Sequence, residues 1–272
     1  MKKACAIATV LVLTALIFGC GTKTQPEKRA DATDVPAAVE PTAEPTPEPT
    51  AEPVAEPTQT LTPELITKRI KTGETRNLDF GGYKWRALDV QDDKALLITE
   101  DIIALRAYGP ADEQATWETC ALRAYLNGAF YDAFLPDDRG LIIETAIANP
   151  GNLWFSTKGG NDTTDRIFLL SLEEADRYFG NSGNYKNQQN RMAWNEEKGR
   201  HVDSKGWYLT NDYDSDRAAT YNGEAVWWWL RSPGDAGDRA ACVGLGGWIE
   251  VGGFAVGSED TGVRPALWLS LG

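Results

Sequence analysis

Chemistry in this chain would have to come from carboxylates and aromatic rings, because the other reactive side chains are scarce. His201 is the only histidine among 272 residues, so any Ser-His-Asp or Cys-His arrangement must use it. It sits in Gly199-Arg-His-Val-Asp203, a polar stretch with no nucleophile motif, and reads as a surface side chain. A single histidine also excludes a His-rich metal centre. Asp212-x-Asp214-x-Asp216 imitates the start of a calcium loop, with oxygen donors at alternate positions. Arg217 stands where an EF-hand needs glycine, and Gly223 where it needs its bidentate glutamate. An EF-hand is thereby rejected. An irregular calcium site and a solvated turn remain open, and no metal or cofactor is assigned. Asp162 and Asp165 form a weaker pair of the same kind. Asp and Glu number 40, so a glycosidase pair is conceivable, but that chemistry needs a carboxylate separation of about 5 or about 6.5–9.5 Å, which a sequence does not display.

The aromatic residues are more distinctive. Ala225-Val-Trp-Trp-Trp-Leu-Arg-Ser-Pro233 holds three consecutive tryptophans. A strand points neighbouring side chains to opposite faces, so Val226, Trp228 and Leu230 go one way and Trp227, Trp229 and Arg231 the other. The first set is expected in the core. The second is expected on an exposed face, where flat rings with a polar edge can stack on sugars or grip a peptide. Trp248 joins that face, and Asp235, Asp238 and Glu250 in the neighbouring turns supply polar contacts. The expected ligand-binding set is therefore Trp227, Trp229, Arg231, Asp235, Asp238, Trp248 and Glu250. Trp85, Trp117, Trp228 and Trp268 are assigned to the core. Arg264 is expected to bridge backbone carbonyls or a carboxylate inside the fold, while Arg231 stands between that role and ligand contact.

These residues need elements to hold them. Residues 75–80 and 83–90 read as strands joined by Gly81-Gly82, a two-residue hairpin signal. Asp92-Asp93 makes the next turn, before a buried strand over 95–99. Thr116 caps a helix starting at Trp117, on which Leu122, Leu126, Ala129, Phe130 and Phe134 recur at helical spacing. Residues 166–170 read as a buried strand. Ser171-Leu-Glu-Glu174 is a capping box for a short helix over 173–179, stopped by Gly180. Residues 180–223 read as a long loop that its aromatics keep ordered. Short strands return over 240–245, 248–251, 254–256 and 263–269, with glycine pairs as turns. Cys120 and Cys242 are equally readable as a disulfide and as two buried thiols. No Cys-x-x-Cys pair occurs.

The remainder of the chain gives an address. Residues 1–19 read as an export signal: Lys2 and Lys3 precede an apolar run over 7–18, too short to span a bilayer, which takes about 20 residues. Gly19-Cys20 resembles the bacterial lipobox, which implies cleavage before Cys20 and lipidation of its thiol. Residues 20–60 hold eight of the 14 prolines and no aromatic residue. They cannot bury a core and read as a disordered Pro/Glu/Thr-rich stalk, reaching at most about 120 Å. Residues 61–272 carry all ten tryptophans and suffice for one domain. The net charge of −13 argues against nucleic acid or an anionic lipid surface as a partner.

Trp228-Trp-Leu-Arg-Ser-Pro-Gly234 and Gly262-Val-Arg-Pro-Ala-Leu-Trp-Leu269 together resemble a bacterial domain of unknown function frequent in exported proteins. Thr116-Trp-x-x-Cys-x-Leu-Arg-x-x-Leu-Asn127 and Arg166-Ile-Phe-Leu-Leu-Ser171 resemble its earlier segments, and the likeness spans about 75–271. More distantly the layout is similar to the C-type lectin-like fold shared with formylglycine-generating enzymes. That resemblance implies an α+β domain with two early helices, short antiparallel strands, and chain ends meeting in one sheet. Cys120 lies too early to match the paired thiols of those enzymes. The expectation is a lipid-anchored, extracytoplasmic, non-catalytic module that binds a glycan or protein at the cell surface and meets the membrane only through its lipid. The alternatives are a wall-acting hydrolase using a carboxylate pair and a structural surface protein.

Overall fold

The computed structural model describes residues 76–195, 200–203 and 207–272. The export signal, Cys20, the stalk and the rest of the chain before residue 76 lie outside them. Strands β1 (Asn77–Phe80) and β2 (Tyr83–Gln91) pair across Gly81-Gly82. Both glycines have positive φ, 58° and 82°, which a side chain would resist. β3 (Lys94–Thr99) follows the Asp92-Asp93 turn, and β4 (Ala104–Leu105) lies beyond it. Helix α1 (Ala121–Tyr125) runs into a π-helical turn, Leu126–Phe130, and α2 (Pro136–Leu141) follows. The helix starts later than expected. Thr116 closes a separate turn, its carbonyl accepting from Cys120 N at 2.9 Å, and Cys120 Sγ caps α1 by accepting from Arg123 N at 3.3 Å. Leu122, Leu126, Phe130 and Phe134 are buried in steps of four, and Ala129 falls outside that stripe and is exposed.

β5 (Ile142–Ile143), β6 (Thr145–Ile147) and β7 (Thr163–Asp165) come next. Residues 167–170 are buried as expected but are not a strand. Their carbonyls are taken by side chains and irregular contacts: Ile167 O by Asn127 Nδ2 at 2.8 Å, Leu169 O by the Arg231 guanidinium at 2.7 Å. Only Phe168 forms a bridge there, to Ala266. α3 (Leu172–Tyr178) carries the expected capping box, with Ser171 and Glu174 bonding each other's backbone. The stretch read as loop is partly regular: α4 (Asn184–Asn187), β8 (Arg191–Asn195), β9 (Arg200–Asp203), β10 (Tyr208–Leu209), α5 (Asp214–Arg217), β11 (Thr220–Tyr221) and β12 (Glu224–Ala225). The last elements are β13 (Trp228–Pro233), β14 (Arg239–Val243), β15 (Ile249–Ala255), β16 (Gly262–Val263) and β17 (Ala266–Ser270). Gly252-Gly253 lies inside β15 rather than in a turn. A Cβ on Gly253, at φ 71°, would run into Ala240 O of β14, so this crossing requires glycine.

The domain is thus α+β, with short, mostly antiparallel strands and few helices. Among the described residues one sheet has the order β1-β2-β3-β17-β5, which brings the first and last strands together, and another has β4-β16-β13-β14-β15-β10-β8-β9. Trp85, Trp117, Trp228 and Trp229 are fully buried in the core. Cys120 and Cys242 are both buried free thiols, so the disulfide does not form.

Candidate functional site

The tryptophan run divides by face as strand geometry requires, but both faces are covered at its centre. Trp228 Nε1 donates to Arg217 O at 3.1 Å, and the Arg264 guanidinium lies 5.1 Å from its ring. Trp229 has other partners: its Nε1 donates to Arg106 O at 2.8 Å, and its ring packs 5.7 Å from that of Tyr108. Trp229 is fully buried, which corrects its expected place on an exposed face. The segment through Arg106 and Tyr108 folds over it, anchored by Tyr108 N to Val256 O at 2.8 Å and Tyr108 OH to Arg231 O at 3.0 Å.

Arg231 is likewise corrected from ligand contact to an internal role. Its five N–H groups are all used: two on the Glu174 carboxylate, the others on Leu169 O and Ala148 O. Burial pushes the Glu174 carboxyl up, but Arg231 and the Ser171 cap outweigh it and hold Glu174 below the usual carboxylate range. Arg264 plays the expected part, donating to Thr99 O at 2.8 Å and to Arg217 O and Glu100 O at 3.1 Å. Asp214 is engaged by Arg217, by Thr210 Oγ1 and by Asn211 N, in a turn that uses its oxygens internally. Among the described residues no group of three or more His, Cys, Asp and Glu side chains is arranged to hold a metal ion. The backbone of His201 pairs opposite Trp194 in β9; its side chain lies outside the described part.

The other end of the same face is only partly covered. Trp227 is half-buried and meets the Phe254 ring at 4.4 Å and the Trp248 ring edge-on at 5.2 Å. Tyr208 packs 6.3 Å from Trp248. Trp248 is seated over a glycine turn: a Cβ on Gly246 would come within 2.9 Å of its ring, and one on Gly244 would overlap it. Trp207, 51% exposed, stacks on Phe155 at 5.7 Å and 19°. Glu250 lies along β15 between Trp248 and Phe254, in register with Cys242 on one side and Tyr208 on the other. The Trp207 ring and Glu250 Oε1 converge on Gly252, whose added Cβ would stand 3.2 and 3.4 Å from them. Among the described residues the Glu250 carboxyl makes no hydrogen bond and no ion pair. Burial against these rings pushes it up to about 7, with Asp235 raising and Arg239 lowering it in smaller measure.

Arg239 is spent elsewhere. Its Nε donates to Gly253 O at 3.1 Å and lies 3.0 Å from Asp235 Oδ1. The latter is an ion-pair contact without hydrogen-bond alignment, and that buried oxygen has no hydrogen-bond partner. Asp238 is exposed in the turn, and its carbonyl accepts from Val256 N at 2.9 Å. The structure therefore brings together Trp227, Trp248, Glu250 and, at the margin, Asp235. It adds Trp207, Phe254, Phe155 and Arg239, which sequence reasoning missed. Phe254 had a visible signal, since 248, 250 and 254 share one parity on a strand. Among the described residues, concavities lie elsewhere: one of 570 Å³ is lined by Arg86, Glu100, Tyr178 and Asp216 among others, one of 620 Å³ by Tyr83, Lys84, Asp101 and Tyr221, and one of 640 Å³ by Asn149, Asn152, Ser156 and Lys158. In the first, Glu100 is held low by its hydrogen bonds to Arg86, so both charges are already satisfied.

Residues 92–271 match the family described as Domain of unknown function (DUF6273). The chain belongs to that family. Both tryptophan- and arginine-bearing signatures fall inside the matched span, so the resemblance is borne out at the level of the family. No curated protein and no solved structure matches the chain. Within the family's span, Arg231 and Arg264 are internal ties.

Proposed function

We propose that this chain is a lipid-anchored, extracytoplasmic binding module that recognises a surface ligand, glycan or protein, on the aromatic face around Glu250. The single observation that carries the reading is the arrangement of Trp207, Trp227, Trp248 and Phe254 about a carboxyl that has no hydrogen-bond or ion-pair partner among the described residues. Partly exposed rings at the margin of a core, beside a polar group, are the composition of recognition surfaces. Flat faces favour the glycan, because sugar rings stack on indoles. The anchor at Cys20, the stalk and the likeness to lectin-like folds belong to the same reading. Two features favour binding over chemistry: the face is open, and Asp235 is paired with Arg239.

A second reading has one observation behind it. A carboxyl raised to about 7 in an aromatic setting is suited to general-acid catalysis, which would make the chain a wall-acting hydrolase. A glycan and peptide array probed with the secreted chain, followed by mass analysis of each bound glycan, separates the two. Retained, uncut ligands whose binding falls in Trp207→Ala and Trp227→Ala support recognition. Shortened glycans that persist intact with Glu250→Gln would establish the hydrolase instead.

A further inference from the structure

We infer that the group recognised beside Glu250 is the ammonium of an amine-bearing sugar within an oligosaccharide. The inference rests on the aromatic face being the recognition surface, and it identifies what that surface selects. Two ring platforms stand on either side of the carboxyl. One is Trp227 with Trp248 and Phe254; the other is Trp207 on Phe155. Both reach the same side of β15, because Trp207 and Glu250 Oε1 meet over Gly252 while Trp248 and Phe254 flank Glu250 along the strand. A platform, a carboxyl and a second platform fit consecutive sugar rings with a polar substituent between them.

The charges around the carboxyl decide which substituent. Arg239, the cation nearby, turns its Nε and Nη2 to Gly252 O, Gly253 O and Asp235. Asp235 is a second acid, and the neighbours across the sheet are Cys242, a buried thiol, and Tyr208. Among the described residues none donates a hydrogen bond to Glu250, and a donor on the ligand would supply one. Indole and phenyl faces present negative potential, which attracts a cation and repels a carboxylate or sulfate. The chain's net charge of −13 acts in the same direction at long range. A neutral acetamido sugar would use the rings but leave the carboxyl without a counter-charge. A free amine uses both.

Calorimetric titration of the full secreted chain near neutral pH, with a glucosamine tetramer and its N-acetylated counterpart, tests this. The amine-bearing tetramer should bind about tenfold more tightly. Glu250→Gln should erase that preference while melting no lower than wild type, and Trp227→Ala should weaken both tetramers. Equal or tighter binding of the acetylated tetramer, still reduced by Trp227→Ala, would overturn the ammonium while leaving the aromatic face in place. Preference retained in Glu250→Gln would also overturn it. A lysine tetrapeptide binding as tightly as the amino sugar would overturn the sugar as the source of the amine. Failure of all three probes to bind would overturn both the inference and the reading beneath it.

Discussion

Replacing Glu250 by glutamine should stabilise the domain, and only above mildly acidic pH. The folded carboxyl titrates at about 7 against an ordinary value of 4.5. Between those two values the unfolded chain has lost the proton and the folded one still holds it. The unfolded state therefore gains over that window, and the native domain loses stability as pH rises through it. A shift of that size corresponds to about 3.4 kcal/mol at full burial. Glu250 is partly open to water, so about 2–3 kcal/mol is the realistic figure. Glutamine has the same shape and never ionises, so the variant avoids this cost. Near pH 8 it should melt roughly 5–10 °C above wild type, and near pH 4.5 the two should coincide. Thermal melts followed by near-ultraviolet circular dichroism across that range measure the difference directly. The other acids titrate identically in both proteins and cancel. A variant that melts with or below wild type near pH 8 would refute the reasoning, because it would mean that the Glu250 carboxylate has a partner in the fold.

Three further outcomes are expected. Trp228→Ala and Trp229→Ala should each cost about 3–5 kcal/mol in urea unfolding, since both rings are fully buried; tolerance of either would contradict the closed centre of the run. Arg231→Lys should cost about 1–3 kcal/mol by the same assay, because an ammonium cannot bond both Glu174 oxygens, Leu169 O and Ala148 O together; an unchanged urea midpoint would show the fork to be dispensable. Cys20→Ala should abolish incorporation of a labelled fatty-acid analogue, and equal labelling of the variant would remove the anchor from the account.

The fold was legible where local chemistry acts alone. Gly81-Gly82 could only turn, and Ser171 with Glu174 could only cap. The parity of Trp227, Trp228 and Trp229 also held, since their partner sets do not overlap. It did not say which faces would be covered. That depends on the segment through Arg106 and Tyr108, which reaches Trp229 from over 120 residues away in sequence. Glycine was ambiguous in the same way: Gly252-Gly253 has the composition of a turn, yet serves close strand approach within β15. Residues 166–170 had strand composition, but their carbonyls went to Arg231 and Asn127, partners that no local pattern announces. Of the candidate face, Glu250, Trp248 and Trp227 were named from composition and parity, and the structure places them together. Trp207 and Phe155 were missed because they arrive from separate loops.

The affinity of Trp227→Ala for an oligosaccharide retained by wild type tests the central claim most directly, measured where both proteins are fully folded. Trp227 links Trp248 to Phe254 and packs half-buried at the margin of the core, so its loss should weaken binding about thirtyfold while the domain stays folded. An unchanged dissociation constant would place recognition elsewhere and contradict the account.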